Sequence, residues 1–109
     1  MRFVEVRGYQ TIDGRPPFGE WLTKLRDRQA RTRIVARLDR LQAGLRGDWK
    51  AVGHGVFELR VDRGPGYRVY CGQDGETLVL LLCGGDKRTQ RQDIEAAHEC
   101  WQDYKNRTS

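Results

Sequence analysis

Phe57-Glu58-Leu59-Arg60-Val61, Gly64-Pro65-Gly66-Tyr67-Arg68-Val69-Tyr70 and Leu80-Leu81-Leu82-Cys83-Gly84-Gly85-Asp86-Lys87 decide the reading of this chain. With the two-residue period of a strand, Glu58 and Arg60 alternate with Phe57, Leu59 and Val61 and point away from the face those three occupy. If Asp62 to Gly66 is a hairpin loop, one register sets Arg60 opposite Arg68 and Glu58 opposite Tyr70. Two arginines, a carboxylate and a phenol then share one patch, and Lys87 arrives at the end of the next strand. Like charges side by side on a sheet are destabilising. The arrangement therefore points to an anionic ligand, with phosphate as the first expectation.

Working outward, Phe3, Val4, Val6 and Tyr9 predict a first strand, ended by the turn-prone Asp13-Gly14 and Pro16-Pro17. Pro17 suits a first helical turn, and Phe18, Trp21, Leu22 and Leu25 follow as one apolar stripe. A second helix is expected from about Asp27 to Ala43. Its buried stripe is Ile34, Val35, Leu38 and Leu41, and Arg28, Arg31, Arg33, Arg37 and Arg40 crowd the remaining surface. Gly44 is its natural stop. Residues 46–55 read as a polar loop carrying Lys50 and His54. Strands are then expected at 56–61, 67–72 and 77–83, the last two joined by a two-residue Asp74-Gly75 hairpin. Leu78 to Leu82 is apolar at every position, as in a strand covered on both faces. Ile94, Ala97, Trp101 and Tyr104 predict a third helix from about Thr89 to Lys105 that covers one of them.

The expected architecture is one α+β domain over residues 1–109, in the order β-α-α-β-β-β-α. A small, mainly antiparallel sheet carries a helical hairpin. One order sets the first strand beside the fourth and leaves the second at an edge, but the sequence alone does not fix it.

Composition narrows the class. The 109 residues carry 20 Lys+Arg against 15 Asp+Glu, a formal charge of +5 and a pI near 9.4; 16 of the 20 cations are Arg. Arg offers a flat fork of donors that matches phosphate, so the bias favours nucleic acid. Cys71, Cys83 and Cys100 make no disulfide framework: the Asp74-Gly75 turn would pair Cys71 with Leu78 and leave Cys83 several positions away. With no CxxC and no Cys/His cluster at ligand spacing, no metal or cofactor is expected. The cysteines read as small buried residues in a reducing cytoplasm. Arg2 and Glu5 interrupt the short apolar start, so no signal peptide is expected. No stretch approaches the roughly 18–20 apolar residues of a membrane span. These features together predict a soluble cytoplasmic protein.

Glu58-Leu59-Arg60, Gly-Pro-Gly-Tyr-Arg-Val-Tyr and Gly-Gly-Asp-Lys followed by Gln90 and Asp93-Ile94, in this order of elements, resemble the RelE/ParE toxin superfamily. The likeness is greatest to the addiction-module killer branch, related to HigB toxins and to phage-derived relatives. It spans nearly the whole chain. The resemblance implies the toxin half of a bacterial type II toxin–antitoxin module, held silent by a helix-turn-helix antitoxin in a hetero-oligomer. It further implies a ribosome-dependent endoribonuclease that cuts messenger RNA and so inhibits translation. Such cleavage uses the substrate's own 2′-hydroxyl as nucleophile, so the enzyme has to orient the sugar, neutralise the phosphorane and move protons.

On that reading Arg68 and Arg60 hold the phosphate, and Glu58 or Tyr70 takes the 2′-hydroxyl proton. Lys87 or His54 serves the leaving oxygen. Lys50, Arg88 and the helix residues Arg33, Arg37 and Arg40 would contact RNA. The C-terminal tyrosine of RelE-type toxins has no counterpart, because that stretch reads Gln90-Arg91-Gln92-Asp93-Ile94. Blander readings stand beside these. Glu58 is also the natural ion-pair partner of Arg60, His54 a surface residue, Tyr67 core, Asp86 a local cap, and Gly84-Gly85 a tight exit from the strand. The alternatives in function are a non-enzymatic ParE-like gyrase inhibitor and a degenerate toxin that only binds its antitoxin.

Overall fold

Pairing of the three quoted segments builds the centre of the molecule. A computed structural model describes residues 3–109; Arg2, used above against a signal peptide, lies outside them. The elements are β1 (Glu5–Gly8), α1 (Pro17–Lys24), α2 (Arg28–Gln42), β2 (Trp49–Ala51), β3 (Val56–Val61), β4 (Tyr67–Asp74) and β5 (Leu78–Asp86), followed by a 3-10 turn (Lys87–Thr89) and α3 (Gln90–Thr108). The five-stranded sheet has the order β1-β5-β4-β3-β2. β1 runs parallel to β5 and every other pairing is antiparallel. This is the expected α+β domain.

Helix ends follow the local chemistry. Pro17 opens α1, where its missing N–H would have had no partner in any case. Asp27 caps α2 by accepting from the Ala30 N–H at 3.0 Å. Gly44, at φ +84°, ends the following turn in the left-handed region that glycine tolerates.

The sheet divides two cores. Phe57, Leu59, Val61, Val69, Val79 and Leu81 pack under α1 and α2, against Phe18, Ala30, Ile34 and Leu41. Val56, Tyr70, Leu80 and Leu82 pack under α3, against Ala97 and Trp101. Leu78–Leu82 thus belongs to a strand covered on both faces, as its unbroken apolar run requires.

Several expectations need correction. Residues 46–55 are not all loop: Trp49–Ala51 pairs with β3. The segment after α2 therefore forms the sheet edge, and β3 is internal. Three residues are too few to show a period, and the strand rests on side-chain contacts the sequence does not announce. Trp49 meets Phe57 edge-on at 5.8 Å, and the Arg46 guanidinium lies 4.5 Å and 3.9 Å from their ring centres. Val35 is 46% exposed rather than buried, and Phe3 lies outside β1 and is 73% exposed. The β4–β5 hairpin pairs Asp74 with Leu78, and a bulge at Tyr70/Cys71 sets Cys71 opposite Leu81 and Cys83 opposite Tyr70. Cys71 faces the α1–α2 core and Cys83 packs beside α3, so both stay free thiols.

Gly84 and Gly85 do not end β5 either; both lie within it. A Cβ on Gly84 would stand 2.3 Å from the Trp21 ring, and one on Gly85 would stand 1.8 Å from the Asp93 carboxylate. The pair lets α1 and α3 approach opposite faces of one strand, and Gly72 does the same for Trp101 at 2.3 Å.

Candidate phosphate-binding hollow

The register that defines the site is the one expected. Arg60 lies opposite Arg68 and Glu58 opposite Tyr70. Both arginines face the α3 side, beyond the point where that helix begins. There, with Lys87, they line an open hollow of about 350 Å³ completed by Asp48, Asp62, Gly64, Pro65 and Gly66.

Glu58 sits behind this wall with no exposed surface. Arg60 Nε donates to its Oε1 at 3.2 Å, Arg68 Nε stands 3.8 Å from its Oε2, and Gln90 Nε2 donates to both oxygens at 3.3 and 3.0 Å. A buried carboxylate needs such partners. It holds two like charges side by side that would otherwise repel. Arg68 is braced further: its Nη1 donates to the carbonyls of Gly66 at 3.0 Å and Tyr67 at 3.2 Å. Its side chain is 12% exposed and that of Arg60 is 34% exposed. The outer edges of two fixed guanidinium groups therefore face the hollow, an arrangement suited to phosphate oxygens.

The remaining predicted site residues separate. Tyr70 is fully buried, its hydroxyl has no partner, and burial followed by the nearby Glu58 charge pushes its pKa up. Neither Tyr70 nor Glu58 reaches the hollow, so the expectation that one of them meets the 2′-hydroxyl is corrected. The helix that covers them starts at Gln90, and strand periodicity cannot show what lies above a strand. His54 is corrected likewise: it precedes Val56, which lies about 13 Å along β3 from Arg60 at ~3.3 Å per residue. Arg88 is tied to Asp86 by a 2.9 Å ion pair, and Asp86 also accepts from the Arg88 N–H, as its capping role predicted. Lys50, exposed on β2, lies opposite Glu58 and so flanks the hollow on the same face.

On α2 the arginines divide. Arg33 and Arg40 are exposed and, with Arg37, line a shallow groove that also includes Ala36, Val61 and Asp62. Arg37 instead donates to the carbonyls of Arg60, Arg46 (2.7 Å) and Asp48 (3.0 Å), and desolvation lowers its pKa. It fastens β2 and β3 to the helix and is not a free RNA contact. The residues that periodicity missed are Gln90, which orients Glu58, and Asp48 and Asp62, the accessible carboxylates of the hollow. The place of Asp62, directly after Arg60-Val61 in a hairpin loop, was the available signal.

Residues 20–102 match the family described as phage-derived protein Gp49-like. The chain belongs to the Gp49-like family. That span runs from α1 into α3 and contains every residue of the hollow. A relative, an uncharacterized protein of Haemophilus influenzae, is 54% identical over 80 residues, covering 73% of this chain and 81% of that protein. The match corrects the resemblance drawn above: the Gp49-like family is distinct from RelE/ParE, although some classifications give both the RelE-like toxin fold. Gp49-like proteins are often toxins of toxin–antitoxin modules. No helix among the described residues is long and apolar enough to cross a membrane.

Proposed function

We propose that this Gp49-like protein is the toxin of a bacterial toxin–antitoxin pair and acts as a ribosome-assisted endoribonuclease on messenger RNA. The observation that carries the reading is the pairing of Arg60 with Arg68 across two strands, locked from behind by a buried Glu58 and open in front to Lys87. A rigid double fork beside a lysine is suited to a phosphodiester whose charge grows in the transition state. Arg68 and Arg60 hold the non-bridging oxygens. The exposed Asp62 accepts the 2′-hydroxyl proton, the 2′-oxygen attacks phosphorus, and the P–O5′ bond breaks. Lys87 gives its proton to the departing 5′-oxygen, leaving a 2′,3′-cyclic phosphate and a 5′-hydroxyl. The ribosome would present messenger RNA to the hollow, with Lys50, Arg33 and Arg40 meeting RNA phosphates nearby. A helix-turn-helix antitoxin would silence the toxin by covering the same basic surface.

Induction in a bacterial host tests this. Wild-type chain should arrest growth, whereas Arg68→Ala, folded and still bound by the antitoxin, should not. Arrest that survives the substitution would remove the hollow from the mechanism.

A further inference from the structure

The loop that carries His54 has a second histidine waiting for it on α3. The rings of His54 and His98 lie 4.4 Å apart, centre to centre, inclined at 62°. We infer that His54 and His98 form a two-imidazole site for a divalent transition-metal cation, separate from the basic hollow, that staples the β2–β3 turn to α3.

Three observations carry it. First, His98 Nε2 lies 2.9 Å from the Val52 carbonyl. A carbonyl accepts only, so Nε2 is the donor of this contact, and in the neutral ring Nδ1 is the nitrogen that carries the lone pair. A backbone carbonyl holding the far nitrogen is the usual support of a metal-binding imidazole. Second, His54 is held at φ +57° between Gly53 at +90° and Gly55 at +84°. It is the one non-glycine in the left-handed region among the described residues, a conformation that costs roughly 1 kcal/mol or more. The turn is closed by the Val56 N–H on the Gly53 carbonyl at 3.0 Å and the Val52 N–H on the Val56 carbonyl at 2.9 Å. The backbone that carries the ring is therefore fixed. Third, the spacing is that of two ligands on one cation: with metal–nitrogen bonds of ~2.1 Å, imidazoles set at about a right angle on one metal have ring centres about 4.4 Å apart. Among the described residues no third Asp, Glu, Cys or His stands close enough to complete a set, so water fills the other positions. Zn²⁺, Ni²⁺ and Cu²⁺ favour imidazole, which defines the class of ligand.

The site lies away from Arg60 and Arg68, so its test does not depend on RNA cleavage. Tag-free protein is melted at pH 7.5 with increasing ZnCl₂ and NiCl₂, alongside His54→Asn and His98→Gln, each compared with its own metal-free melt. Asn accepts the left-handed backbone at position 54. Wild type should gain roughly 4–8 °C at tenfold excess over the dissociation constant, with one ion bound per chain by calorimetry. Both variants should lose the shift. No shift in wild type, or a shift that survives either substitution, overturns the inference.

Discussion

Glu58 and Tyr70 stand opposite one another on neighbouring strands, both fully buried on the α3 side of the sheet. Alternation places both on the polar side of the sheet, and the Arg60–Arg68 pairing follows from the same count. Their burial does not follow, because it depends on α3, whose Gln90 reaches Glu58 from 32 residues away. Removing Glu58 leaves two arginines adjacent and unbalanced, one of them almost buried. Glu58→Ala should therefore cost about 3–5 kcal/mol, measured as a lower urea midpoint. Tyr70 behaves in the opposite way. Its hydroxyl is buried without a partner, so Tyr70→Phe should leave stability unchanged or raise it by about 1 kcal/mol. Its folded-state pKa is raised by burial, so the unfolded chain loses the phenolic proton first. Stability should fall as pH rises past ~10. Tyr9, raised to about 12 mainly by burial, adds to the same decline, and Tyr70→Phe should make it shallower in denaturation curves taken from pH 8 to 11.

At the scale of the element, long periodic segments were legible and close approaches were not. The apolar spacing of Phe18, Trp21, Leu22 and Leu25, the alternation in β3 and the unbroken run in β5 each carry their own signal. β2 has no such pattern; it exists because Trp49, Phe57 and Arg46 stack and because Arg37 holds the backbone on both sides of it. The glycines of β5 read as a strand end because glycine usually marks one. Here they are the places where two layers touch the sheet. Gly84→Ala drives a methyl into Trp21 at 2.3 Å and should cost about 1–3 kcal/mol or more by overpacking. Gly8→Ala in edge strand β1, with nothing within 4 Å of the new carbon, should be nearly neutral. Thermal melts of the two variants side by side check the pair. Equal losses would mean that α1 does not seat on Gly84.

Over the whole molecule, the basic character reported by composition is concentrated on usable surfaces. Arg60, Arg68 and Lys87 line one hollow, Arg33 and Arg40 line a groove on α2, and Asp62 lies on the boundary of both. Composition could not show that Arg37 is spent on backbone carbonyls or that Arg88 is paired with Asp86 at the surface. If Arg68 meets a phosphate, Arg68→Ala should weaken RNA binding and reduce the slope of log affinity against log salt by about 0.7, as titrations at several salt concentrations would show. The most direct test of the central claim uses purified protein added to a translating cell-free extract, with messenger RNA 5′ ends mapped for wild type and Arg68→Ala. New 5′ ends within translated codons, present with wild type and absent with the variant, are the predicted result. Intact messenger RNA with the wild-type protein, or the same ends with the variant, would contradict it.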